Sequence, residues 1–116
     1  MSAKWEELKV FRKTTKKYEL QFKKEGIVED ITGWTIYFTV KEKMEDTDEN
    51  AKISKKITSH SDPTNGKTLI ELTVANLDLP LGNYYYSIDF LDDEGNAGIL
   101  LHGWFKIEKP VRDTRD

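Results

Sequence analysis

The sequence predicts an all-β chain, an antiparallel two-sheet β-sandwich of about seven strands. Three observations carry that prediction. Apolar and polar side chains alternate strictly from Trp34 to Val40 and again from Tyr84 to Phe90. A strand sends successive side chains to opposite faces, so such runs mark half-buried strands. Gly, Pro, Asn and Asp cluster between the runs, at 30–33, 62–66, 78–83 and 92–96, where turn chemistry is needed. No stretch keeps helical spacing for the length of a convincing helix. A small barrel is the competing architecture.

The elements follow in order. Trp5, Leu8, Val10 and Phe11 give a mixed pattern. A helix start at Lys4–Leu8 competes there with an extended arm leading into a first strand, and the arm is preferred for residues 1–13. Tyr18, Leu20 and Phe22 alternate with Glu19, Gln21 and Lys23 in a short half-buried strand that Glu25-Gly26 ends. Trp34, Ile36, Phe38 and Val40 form the apolar face of the cleanest strand, with Trp34 as central anchor. Residues 42–50 form a polar loop. Its Asp46, Asp48, Glu49 and Asn50 lack the ligand offsets of an EF-hand, so a solvated loop without metal is expected. Asp92, Asp93 and Glu94 are read the same way. Ile53 and Ile57 lie in a lysine-rich strand suited to a sheet edge. Thr68, Ile70, Leu72 and Val74 supply one face of the next strand, and Pro110 stops the last.

The stretch from Leu77 to Ile107 organises the rest. Tyr84, Tyr86, Ile88 and Phe90 share the core phase of one strand; Ile99, Leu101, Gly103, Phe105 and Ile107 share that of the next. Pairing Phe90 with Ile99, Ile88 with Leu101, Tyr86 with Gly103 and Tyr84 with Phe105 opposes apolar residues to apolar residues or glycine throughout. A slip of one residue would turn a whole apolar set outward. Gly103 opposite Tyr86 indicates room for the ring or a bulge. Upstream, Leu79-Pro80-Leu81-Gly82 turns the chain into Tyr84. This is similar to the tyrosine corner of immunoglobulin-like sandwiches, with an ordinary strand-initial tyrosine as the alternative.

Composition bounds the function. One domain fits 116 residues: an arm or first strand over 1–13, the sandwich over 14–109 and a charged tail over 110–116. The absence of cysteine removes disulfides, thiolate metal ligands and a thiol nucleophile. A net charge of −3 argues against nucleic acid as the partner. No run is long enough to span a membrane and no apolar h-region follows the N-terminus, so neither a membrane nor a cleaved signal is expected. Lysines crowd residues 1–24, either as edge protection or as a docking surface for an acidic partner.

No catalytic signature is present: no phosphate loop, nucleophile elbow or metal-binding His pair. His60 and His102 are not at ligand spacing. Neither an enzyme nor a cofactor is expected. The outward phase is more informative. If the Trp34–Val40 strand neighbours the Tyr84–Phe90 strand, Tyr37 joins Tyr85, Leu100, His102 and Trp104 on one outer face. Tyrosine and tryptophan are favoured interface anchors, and such a cluster is seldom exposed without use. Cross-strand pairing alone, the N-terminal arm with Trp5, or a second chain could account for it.

Taken together, Thr14–Phe22, Asp30–Lys41 with its D-I-T-G-W-T-I-Y-F-T-V-K, Gly66–Thr73, Leu79–Asp89 and the closing Gly103–Ile107 resemble, in order and spacing, the N-terminal domain of phage upper baseplate proteins and related small phage structural domains. Residues 14–108 carry the resemblance. Leu81-Gly82 stands where the family has Pro-Gly, and the long helical, receptor-linking region is missing. The resemblance implies a virion tail or baseplate module, an immunoglobulin-like sandwich docking on other virion proteins or on copies of itself as a homo-oligomer. Without it, a cytoplasmic location in the bacterial host is expected. A carbohydrate-binding or adhesion module using the same aromatics is the alternative.

Overall fold

In the computed structural model, which describes residues 4–112, the alternating runs become strands of two facing sheets. In chain order these are β1 (Lys4–Trp5), β2 (Leu8–Phe11), β3 (Lys16–Gln21), β4 (Lys23–Lys24), β5 (Ile27–Val28), β6 (Thr35–Lys41), β7 (Ile53–Ile57), β8 (Lys67–Leu72), β9 (Gly82–Leu91) and β10 (Ala97–Glu108). Single 3-10 turns cover Asp48–Asn50 and Pro63–Asn65. Beyond residue 112 the expected charged tail lies outside the described residues.

The larger sheet has the order β1-β10-β9-β6-β7, and β2 continues the arm along β10. The arm runs parallel to β10, whereas β10–β9, β9–β6 and β6–β7 are antiparallel. Opposite it, β3 and β8 pair in a two-stranded sheet. The result is an immunoglobulin-like sandwich in which β10-β9-β6 correspond to the G-F-C strands, with β7 added beside them. The extra short strands come from the divided arm and from the β4–β5 ladder. That ladder closes over Glu25 and Gly26, both at positive φ as a type I′ turn requires.

The core lies between the sheets. Ile36, Phe38 and Val40 from β6, Tyr84, Tyr86 and Ile88 from β9, and Phe105 and Ile107 from β10 meet Ile70 and Leu72 from β8. Phe90 and Leu101 are half-buried against the same cluster. Trp34 stacks on Phe90 with centroids 5.2 Å apart and meets the edge of Phe22 at 5.6 Å. Phe22, Ile31 and Leu77 are fully buried as well; Phe22 closes the Tyr18–Phe22 alternation just past β3, whereas Ile31 and Leu77 lie outside any alternating run. The Tyr84 hydroxyl donates to the Pro80 carbonyl at 2.7 Å, which is the geometry of a tyrosine corner.

Polar side chains shape the turns. Asp92 Oδ1 accepts from the backbone N–H of Glu94 at 2.9 Å and of Asn96 at 2.8 Å, which fixes the β9–β10 loop. Those bonds, first the one from Asn96, hold its carboxyl below the usual aspartate range. His60 pins its loop to both sheets, with Nε2 2.8 Å from the Trp34 carbonyl and Nδ1 2.9 Å from the hydroxyl of fully buried Thr68. The carbonyl can only accept, so Nε2 carries a proton. Gly66 sits at φ +74°, where a Cβ would lie 2.7 Å from the carbonyl oxygens of Phe22 and Glu29.

Two strand expectations are corrected. Val74 does not extend β8. Asn76 Oδ1 accepts from the Thr73 N–H at 2.9 Å, the Asn76 N–H donates back to the Thr73 hydroxyl at 3.2 Å, and Val74 is left exposed. Local side-chain bonds of this kind compete with a ladder. The hairpin register holds from Tyr84–Phe105 to Ile88–Leu101, but Phe90 pairs with Gly98 and not with Ile99. A bulge at Leu100 inserts one residue, so Ile99 pairs with Asp89. The Phe90 ring needs that glycine, since a Cβ at 98 would lie 2.7 Å from it.

Candidate functional site

The outer face of the larger sheet collects the outward phase of β6, β9 and β10. Tyr85 and Trp104 are cross-strand partners, and their rings stack at 4.5 Å with an interplanar angle of 26°. His102 pairs with Ser87, and the Trp5 ring from the arm meets the His102 ring edge-on at 5.1 Å. Among the described residues the Trp5 ring of the arm meets this margin of the face and remains 52 % exposed. A further clamp joins Glu7 of the arm to Lys106 Nζ at 2.8 Å, and the hydrogen bond from that ammonium holds the Glu7 carboxyl below the ordinary glutamate range.

Tyr37 pairs with Asp89 across the β6–β9 ladder and with Lys56 across β6–β7. Leu100, expected among these residues, packs against the core instead. The bulge turns Ile99 outward in its place, 43 % exposed and beside Asp89. Tyr37, Tyr85 and His102 are therefore brought to one surface with Ile99, while Trp104 stands at its rim on Tyr85. Local sequence gave no sign of Ile99, because Ile99, Leu100 and Leu101 are all apolar and either phase reads equally well.

The face is concave. An open depression of about 580 Å³ is lined by Tyr37, Tyr85, Ser87, Asp89, Ile99 and His102, and the 42–50 loop walls it with Met44 and Asp48. That wall is tied down by Lys41 Nζ, 2.8 Å from Asp48 Oδ1. A second depression of about 540 Å³ continues past Tyr37, Asp89 and Ile99 toward Leu91 and Ala97. Asp89 Oδ1 is sealed from solvent and has no hydrogen-bond partner.

Ser87, His102 and Asp89 share this surface, but no hydrogen bond links them among the described residues. Both ring nitrogens of His60 are committed to the Trp34 carbonyl and Thr68. Among the described residues no group of three or more His, Asp or Glu is placed to hold a metal ion, and no helix is long and apolar enough to cross a membrane. The arrangement offers shape, aromatic surface and one half-buried carboxylate.

No family model and no curated protein matches the chain. Among solved structures, the N-terminal domain of phage TP901-1 ORF48 matches with a TM-score of 0.56 at 12 % identity, covering 94 % of this chain and 100 % of that one. The likeness is one of fold, and it spans both sheets.

Proposed function

We propose that the chain is a non-enzymatic structural module of a phage or prophage virion, docking on neighbouring tail or baseplate subunits through the outer face of its larger sheet. The full-length fold likeness to a phage domain is the observation that carries this reading. It agrees with the motif order over residues 14–108. The outer face supplies the means: a half-buried Tyr–Trp stack beside a concave aromatic surface is suited to contact with another protein. The carbohydrate reading has weaker support, because the Tyr85–Trp104 stack leaves each ring only one face for a sugar.

The test is co-expression with phage tail and baseplate proteins, followed by light scattering of the purified material. The expected result is a complex heavier than the 13.5 kDa monomer. The double variant Tyr85→Ser with Trp104→Ser should run free while keeping its fold. A wild-type chain that stays monomeric beside every tail protein, or heat released on adding a glycan panel, overturns the reading.

A further inference from the structure

Asp89 poses a chemical question that the fold leaves open. Its carboxylate sits near the C-terminal end of β9 on the outer face, between Tyr37 on one side and Ile99 on the other. One of its oxygens is shielded from solvent and accepts no hydrogen bond. Burying a carboxylate oxygen without a partner is unfavourable, and native structures seldom retain one without a use. The side chain as a whole is only half-buried and lines both depressions, so the group can be reached from outside.

Among the described residues no cation is bonded to it, and no ion pair reaches Asp89. Lys41, which lines the same depression, is held by Asp48 at 2.8 Å. Lys56 lies beyond Tyr37 on β7, two strands away. His102 is in register with Ser87, and its ring is engaged by Trp5.

We infer that this depression receives a basic side chain, an arginine or lysine presented by the neighbouring protein, with Asp89 as its counter-charge and the Tyr37 and Tyr85 rings beside it. The inference rests on the docking reading and names the chemistry of the partner. Three properties of the site favour a cation. The carboxylate is already partly stripped of water, so a counter-ion gains attraction at less further desolvation cost. Tyrosine faces attract guanidinium and ammonium groups. Ile99, turned outward by the bulge, offers apolar surface to the aliphatic stem.

The test titrates N-acetyl-arginine amide into the isotopically labelled full chain and follows backbone amide shifts. N-acetyl-citrulline amide, of the same shape without the charge, is the control. Saturable shifts at Tyr37, Asp89 and Ile99 with the arginine compound, absent with citrulline and lost in Asp89→Asn, are expected. Equal shifts with both compounds overturn the inference, as do shifts scattered over the acidic 42–50 and 92–94 loops. The comparison of the two compounds on the unmutated chain stands even if Asp89→Asn fails to fold. Complex formation separates this inference from the reading beneath it. If the wild type assembles with tail proteins and Asp89→Asn assembles equally well, the basic-side-chain inference falls and docking stands; if the wild type does not assemble at all, docking itself falls.

Discussion

Tyr18 turns its hydroxyl into the sandwich, where it is sealed from solvent and has no hydrogen-bond partner. Burial pushes its ionisation up to about 12 from an ordinary 10.0, and burial likewise raises Tyr86. The unfolded chain releases these protons near pH 10, whereas the folded chain holds them. Unfolding is therefore favoured progressively once the pH passes 10, and the contribution of Tyr18 is lost as the pH approaches 12. Following phenolate absorbance against pH should show that Tyr18 and Tyr86 ionise only as near-ultraviolet dichroism collapses; ionisation of all tyrosines around pH 10 with the fold intact would contradict their burial. Such details were beyond the reach of sequence. Alternation assigned Tyr86 to the core, but the absence of a partner for the Tyr18 hydroxyl depends on where the opposing sheet lies. Leu100 and Ile99 exchanged roles for a related reason: an inserted residue in an all-apolar stretch changes the facing without changing the composition.

The arm is the element whose attachment depends most on one residue. Its backbone joins β10 through the Glu6 N–H to the His102 carbonyl at 2.9 Å, and the Tyr86 hydroxyl reaches out of the core to donate to the Glu6 carbonyl at 2.7 Å. Gly103 makes this approach possible: a Cβ there would lie 2.2 Å from the Glu6 oxygen. Gly103→Ala is expected to cost about 1–3 kcal/mol in urea unfolding, since overpacking forces the backbone to move. Hydrogen exchange should quicken at Glu6 and Leu8 before it does in β6. Exchange in the arm unchanged from wild type would mean that the contact is dispensable. A glycine on the core phase opposite tyrosine was legible as a need for space. That the space admits another backbone was not, because the parallel arm has no alternation of its own. Inward-phase Lys55 on β7, opposite Phe38, is the kind of charge that keeps an edge strand from recruiting others.

At the scale of the molecule, the two-sheet architecture was readable because period-two patterning prescribes a face for every residue of β6, β8 and β9. Buried residues in turning segments, Ile31 and Leu77, were not readable in this way, since a turn has no period. The binding face was legible in its aromatics and hidden in its contour, which comes from the bulge and from a loop folded back by the Lys41–Asp48 pair.

The first and last strands lie side by side and point the same way, with Leu8 beside Phe105 and Phe11 beside Glu108. Tension applied between residues 4 and 112 therefore acts along that ladder lengthwise, straining its bonds together rather than peeling them apart one at a time. In a single-molecule pulling experiment, rupture between these handles should need clearly more force than when the chain is gripped at 14 and 112, which leaves the arm slack. A part built into an assembly that transmits load would gain toughness from that geometry, with no added core and no crosslink.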